Sequence, residues 1–175
     1  MEYVSFFNAG QGRGAVVATE QGVCRVCLPG DAAGHTQDSL DILPPSRLTE
    51  QVAQMLTRYF KGEPQPFETV ALDYSVAGVF RRRILESIRS IPFGQIKSYG
   101  DVAAAAGSPR AARAVGGAMA SNPVPIIIPC HRVIAANGRL TGYSAPGGLQ
   151  LKKLILLMEG IEFKGELVCQ KNAGY

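Results

Sequence analysis

The sequence predicts an α+β fold in two parts, a sheet-and-helix N-terminal region and a mostly helical C-terminal one, on three observations. Residues 14–28 alternate like a strand hairpin, and apolar spacing of helical period follows over 46–61. From residue 78 the period is helical almost throughout, with short loops between segments. Among those helices an apolar run bounded by prolines, Ile126-Ile127-Ile128, reads as a short buried strand and leads straight into Pro129-Cys130-His131-Arg132.

In chain order, residues 14–19 and 22–28 pair around a turn at Glu20-Gln21-Gly22. The helix over 46–61 places Leu48, Val52, Met55, Leu56, Tyr59 and Phe60 mostly on one face, and the glycine and two prolines of 62–66 end it. Residues 1–75 are therefore expected to form a structural domain, 76–165 a second domain and 166–175 a tail. Cys24 and Cys27 form a C-x-x-C pair, with His35 as a third candidate ligand. Strand alternation would send the two sulfurs to opposite faces and no second cysteine pair follows, so packing cysteines and no metal are expected.

The second part begins with an amphipathic helix in which Phe80, Ile84, Leu85, Ile88 and Ile91 share a face and Arg81, Arg82 and Arg89 lie mostly outside. After Pro92-Phe93-Gly94, Ser98 and Asp101 read as a capping box for a helix ending at Gly107. Ser108 and Pro109 then read as the cap and first-turn proline of another helix, and the pair has the form of a helix-turn-helix. That last helix is rich in alanine and carries Gly116 and Gly117 inside it, at a cost of up to about 1 kcal/mol each. Small residues let another backbone, of protein or nucleic acid, come close. Arg110 and Arg113, three apart and so neighbours on one side, favour a nucleic-acid groove. A further helix is expected from about 149 to 159.

With 175 residues and 46% hydrophobic side chains, the chain has enough apolar surface for one core or two small ones, and disorder is not expected. The N-terminus has no basic stretch followed by an apolar one, and no run reaches membrane-spanning length, so an intracellular protein is expected. Four cysteines are few for a disulfide scaffold, and reduced thiols are expected. The net charge of +4 is uneven: residues 1–75 hold 5 Lys/Arg and 9 Asp/Glu, net −4, leaving 13 and 5, net +8, for 76–175. Such asymmetry suggests a polyanionic partner, nucleic acid first and an anionic membrane surface second.

Cys130 has an imidazole and a guanidinium beside it, and a thiol becomes a nucleophile as its thiolate when a cation or base lowers its pKa. In an extended chain neighbouring residues point apart, so His131 reaches the thiol only through a bend or a bridging water. Glu159, in Leu156-Leu157-Met158-Glu159-Gly160, is the candidate carboxylate to orient it. A Cys-His dipeptide alone is weak evidence, and its default reading is a buried cysteine beside a satisfied histidine. Arg132 is read as a structural ion-pair residue.

Residues 76–163, and above all Pro-Cys-His-Arg-Val, Ala-Arg-Ala-Val-Gly-Gly-Ala-Met, Asn-Pro and Gly-Tyr-Ser in that spacing, closely resemble the C-terminal domain of the O6-alkylguanine-DNA alkyltransferases. The resemblance implies a ribonuclease-H-like N-terminal domain and a winged helix-turn-helix C-terminal domain. It implies one irreversible transfer, without cofactor, from O6-alkylguanine in double-stranded DNA to Cys130, with O4-alkylthymine a further candidate substrate. His131 then matches the base, acting through a water, Glu159 its orienting carboxylate, and Tyr99 the tyrosine that hydrogen-bonds the flipped base. Tyr143 and Ser144 match the pocket wall, Asn122 the hinge and Arg113 the arginine that fills the vacated stack. Ala112, Ala114 and Gly116 match positions of close backbone approach. A monomer, cytoplasmic or nuclear, is implied, with no membrane partner. Relatives that only flag the lesion commonly have tryptophan at the acceptor position, regulatory relatives carry extra domains, and a cysteine hydrolase would need an acyl pocket; Cys130 and the chain length favour the transferase. Ala145-Pro146, which separates Ser144 from Gly147-Gly148, departs from the compact family form and bears on pocket shape.

Overall fold

The structure, a computed structural model, describes residues 1–10, 12–31 and 40–169. It divides into two compact units, Met1–Gly78 with Pro123–Ile127, and Val79–Asn122 with the chain from Ile128 onward. The excursion of residues 123–127 into the first unit departs from the contiguous division expected at residue 75.

In the first unit, β1 (Tyr3–Asn8), β2 (Arg13–Ala18) and β3 (Val23–Cys27) form an antiparallel sheet in sequence order. Gly22 permits the turn into β3, because a Cβ there would stand 2.7 Å from the Ala71 carbonyl oxygen. Helix α1 (Arg47–Tyr59) packs on β1 and β2 through Val52, Ala53, Met55, Leu56 and Tyr59. Ser46 caps it, its side chain accepting from Thr49 N while the Thr49 hydroxyl accepts from Ser46 N. Cys24 and Cys27 do not face apart as strand alternation predicts. The β2–β3 register shifts at Cys24, between the Val17–Arg25 and Ala18–Val23 pairs, and this bulge lets both cysteines pack against the cluster of Val4, Ala15, Val17 and Leu40. Burial pushes both thiols up in pKa. His35 lies outside the described residues, among which no group of three His, Cys, Asp or Glu side chains could hold a metal ion.

The second unit comprises α2 (Val79–Arg89), α3 (Tyr99–Ala105), α4 (Ala112–Ala120) and α5 (Gly148–Met158). A two-residue parallel pair, β4 (Lys97–Ser98) with β5 (Val133–Ile134), and a hairpin, β6 (Phe163–Lys164) with β7 (Leu167–Val168), complete it. Residues 167 and 168, placed by the sequence reading in a tail, are thus paired strand. Helix α2 buries Ile84, Leu85 and Ile88 against α3 and α4, but Phe80 is 43% exposed and the Arg89 side chain only 11%. Both depart from the expected faces, because Phe80 sits in the unpacked first turn while Arg89 lies next to Ile88 in the packed last one.

Ser98 and Asp101 form the expected capping box of α3, Ser98 Oγ accepting from Asp101 N at 3.1 Å and Asp101 Oδ2 from Ser98 N at 2.8 Å. Gly107, at φ +77°, leaves the helix in the left-handed conformation that glycine favours. Helix α4 starts at Ala112 rather than at Pro109. Ser108 N donates to Ala103 O, closing α3, and Ala111 N donates to Ser108 O across a turn with Pro109 in its corner, so Ser108 serves the preceding helix and the turn. Arg110 accordingly lies in the turn, before α4. Among the described residues no helix is long and apolar enough to cross a membrane.

The isoleucine run is buried, with Ile126, Ile127 and Ile128 at most 1% exposed, but it is not the strand that apolar content predicts. Pro123, Pro125 and Pro129 remove three amide donors from a stretch of seven residues, so a ladder cannot form. The chain bends there instead, and Ile126 holds φ +73°, a conformation that costs a β-branched residue of the order of 1–3 kcal/mol.

Candidate active site

Pro129 sets the entry to the Cys-His-Arg segment. Its φ of −80° and ψ of 65° make an inverse γ-turn, closed by Cys130 N donating to Ile128 O at 2.8 Å, and the ring supplies that φ without further cost. Residues Cys130–Arg132 then form one 3₁₀ turn, so the thiol and imidazole are not spread to opposite sides as in an extended chain.

Asn122 ties the segment down. Its Nδ2 donates to Ile128 O at 2.9 Å and lies 3.3 Å from Cys130 Sγ. The thiol is 3% exposed and forms part of the wall of a cavity of about 400 Å³. The other lining residues are Tyr99, Gly116, Met119, Ala120, Gly142, Tyr143 and Ser144. The structure thus brings Cys130, Tyr99, Tyr143, Ser144 and Gly116 to one cavity. Burial pushes the Cys130 thiol up in pKa, opposed by the Asn122 hydrogen bond and the positive charge of Lys152.

His131 and Glu159 are fully buried partners, with His131 Nε2 2.9 Å from Glu159 Oε1. Arg132 completes the group, donating from Nε and Nη2 to the Glu159 carboxylate at 2.8–3.2 Å and from Nη1 to Ile91 O at 2.6 Å. Burial alone would raise the Glu159 carboxyl, but the hydrogen bonds and charges of His131 and Arg132 outweigh it and draw the pKa to about 2. Burial pushes His131 down despite Glu159 beside it, so the imidazole is neutral at physiological pH. An ionised carboxylate facing Nε2 fixes the tautomer with the proton on that nitrogen.

Lys152 was missed by the sequence reading. It is fully buried, and its Nζ donates to Val133 O at 2.7 Å and Thr141 O at 2.9 Å, joining β5 to the residue just before the lining segment Gly142–Ser144; burial lowers its pKa to about 8. The signal was present, since Lys152 falls three and four residues before the buried Ile155 and Leu156 and therefore on the packed face of α5. Tyr143 carries a buried hydroxyl with no hydrogen-bond partner among the described residues, and burial raises its phenol well above the ordinary value. Ser144, Arg110, Arg113 and Ala114 are exposed, and Ala112 is half-buried.

Helix α4 explains its glycines by exclusion. Among the described residues, a Cβ on Gly117 would meet nothing within 4 Å, and one on Gly116 only the Tyr99 ring at an ordinary 3.9 Å. Packing inside the chain therefore requires glycine at neither position, although each costs about 1 kcal/mol of helix stability.

Comparison with known proteins gives the same site a lineage. Residues 79–161 match the family described as 6-O-methylguanine DNA methyltransferase, DNA binding domain. A methylated-DNA–protein-cysteine methyltransferase of Haemophilus influenzae is 38% identical over 129 residues, 74% of this chain and 67% of that protein. The one of Methanothermobacter thermautotrophicus is 36% identical over 152 residues, 86% and 81% of the two lengths. The solved Mycobacterium tuberculosis OGT in complex with DNA superimposes with a TM-score of 0.73 at 30% identity, over 90% of this chain and 93% of that one. With similarity running from the sheet of the first unit to the helices that enclose Cys130, the chain belongs to the O6-methylguanine-DNA methyltransferase family.

Proposed function

We propose that this protein repairs DNA by direct reversal, moving the alkyl group of O6-alkylguanine onto Cys130 in a single irreversible turnover. The observation that carries this reading is the Cys130 thiol in the wall of a 400 Å³ cavity, backed by a buried His131–Glu159 pair and opening beside α4. In the proposed reaction His131 takes the thiol proton at Nδ1 through one water, since Nε2 faces Glu159. The thiolate, favoured by Asn122 and Lys152, attacks the alkyl carbon in line. The carbon–oxygen bond breaks with its electron pair on guanine, which gains a proton in place of the one lost by the thiol. Tyr99 donates a hydrogen bond to the leaving ring, Ser144 contacts the exocyclic oxygen and Tyr143 walls the pocket. The thioether is stable, no cofactor takes part, and nothing restores the thiol.

Access requires the nucleotide to leave the stack, at a cost of a few kcal/mol. Helix α4 is suited to a minor groove because Gly117, Ala114 and Arg113 are exposed and its glycines are not demanded by internal packing. Arg113 fills the vacated stack and Arg110, in the preceding turn, tracks the backbone. The α3–turn–α4 pair with the short strands around it supports a winged helix-turn-helix, and the antiparallel sheet with α1 supports a ribonuclease-H-like first domain. The protein would act as a monomer wherever the DNA is, in the cytoplasm or a nucleus.

The decisive test is the intact mass of the protein after stoichiometric incubation with a duplex holding one O6-methylguanine, followed by peptide mapping. One added methyl on the Cys130 peptide, with no second turnover, is expected. An unchanged mass with tight lesion binding would turn the assignment to a lesion-flagging protein. Arg113→Ala should slow repair of the duplex by about 10–100-fold, a few kcal/mol of flipping, while leaving the reaction with free O6-benzylguanine unchanged. Equal losses on both substrates would remove Arg113 from that role.

A further inference from the structure

We propose that Thr141 is a positioning residue for the reaction, holding the Tyr99 phenol so that its own proton is directed into the cavity. The Thr141 hydroxyl donates to the Tyr99 oxygen at 2.9 Å, across 42 residues of sequence. Its placement is fixed from behind, because the Thr141 carbonyl accepts from the buried Lys152 at 2.9 Å and that ammonium is itself held by Val133 O at 2.7 Å. Val133 directly follows the Cys130–Arg132 turn. The chain of bonds thus measures the Tyr99 oxygen from the same backbone that carries the thiol.

A phenol oxygen that already accepts one hydrogen bond retains its single O–H to give away, and Tyr99 lines the cavity with Cys130. The inference rests on the alkyl-transfer reading. As the carbon–oxygen bond breaks, negative charge collects on guanine and the Tyr99 O–H donates to it. A donor on the far side of the phenol oxygen makes that O–H a stronger donor, since hydrogen bonds in a chain polarise one another. Thr141 keeps its own proton throughout, so the proton balance of the reaction is unchanged.

The test compares Thr141→Val and Thr141→Ser, each in the parent and in a Tyr99→Phe background. The readouts are the second-order rate of methyl transfer from an O6-methylguanine duplex, the rate with free O6-benzylguanine, and the thermal midpoint. Valine keeps the shape and the backbone carbonyl on Lys152 but removes the hydroxyl. Thr141→Val should slow both substrates by about 5-fold, the worth of one neutral hydrogen bond. Thr141→Ser should restore the rate, and Thr141→Val should cost nothing further once Tyr99 is phenylalanine. A parent-like Thr141→Val rate, or a loss that persists at full size in Tyr99→Phe, overturns the proposal alone. A Tyr99→Phe protein as fast as the parent overturns the role of Tyr99 as well.

Discussion

Replacing Cys130 with alanine should abolish alkyl transfer while preserving binding to duplex DNA that contains O6-methylguanine. Cys130 supplies the thiol of the cavity wall, whereas α4 and the other pocket residues do not depend on it. Asn122 Nδ2, which lies within hydrogen-bond distance of the sulfur, also bonds Ile128 O and so keeps its place when sulfur is lost. The stability cost should be about 1 kcal/mol, the centre of the range for single substitutions. Mass spectrometry after incubation with the lesion duplex, paired with a binding titration, checks both halves. A methyl still acquired elsewhere in the protein would refute Cys130 as acceptor.

Glu159→Gln should have the largest effect on stability and a large one on rate. The change preserves shape but leaves the Arg132 guanidinium, 8% exposed at its side chain, without its anion, and breaking such a buried pair costs about 3–5 kcal/mol. Transfer should slow by about 100-fold or more, because His131 loses the carboxylate that sets its tautomer and orientation. The same pair predicts acid lability. The Glu159 pKa is about 2 in the fold against 4.5 ordinarily, so its stabilising contribution is fully present above 4.5 and disappears as pH falls from there through about 2. His131, with its pKa lowered in the fold, adds to this, because the unfolded state takes up protons more readily as pH falls below 6.5. Denaturant melts of parent and Glu159→Gln between pH 7 and 3 should converge as pH falls. A constant gap between them would show that the carboxylate charge contributes nothing.

Local rules carried the sequence reading wherever one element depends on its own residues. The Ser98–Asp101 box, the turn at Gly22 and the helices over Arg47–Tyr59 and Gly148–Met158 follow from capping, glycine chemistry and apolar period. The rule failed where one residue serves two neighbours. Ser108 closes α3 and so cannot cap α4, and the bulge at Cys24 turns a side chain that alternation sends the other way. Apolar content points to a buried strand at the three isoleucines, but Pro123, Pro125 and Pro129 leave too few donors for one, and the residues are buried as a bend.

The site divides along the same line. The order Pro-Cys-His-Arg, the small-residue helix and the basic second part are properties of the sequence by itself, and together with the family resemblance they carry they led to Cys130 as the expected nucleophile, His131 as the expected base and the small-residue helix as the expected nucleic-acid face. Only the tertiary structure decided that Glu159 meets His131 and Arg132 together, that Lys152 is buried between Val133 and Thr141, and that Thr141 faces Tyr99. Those pairs lie 11 to 42 residues apart in the chain. No local propensity encodes such contacts. They exist because folding withdraws these polar groups from water together, and each must then find its partner among the others.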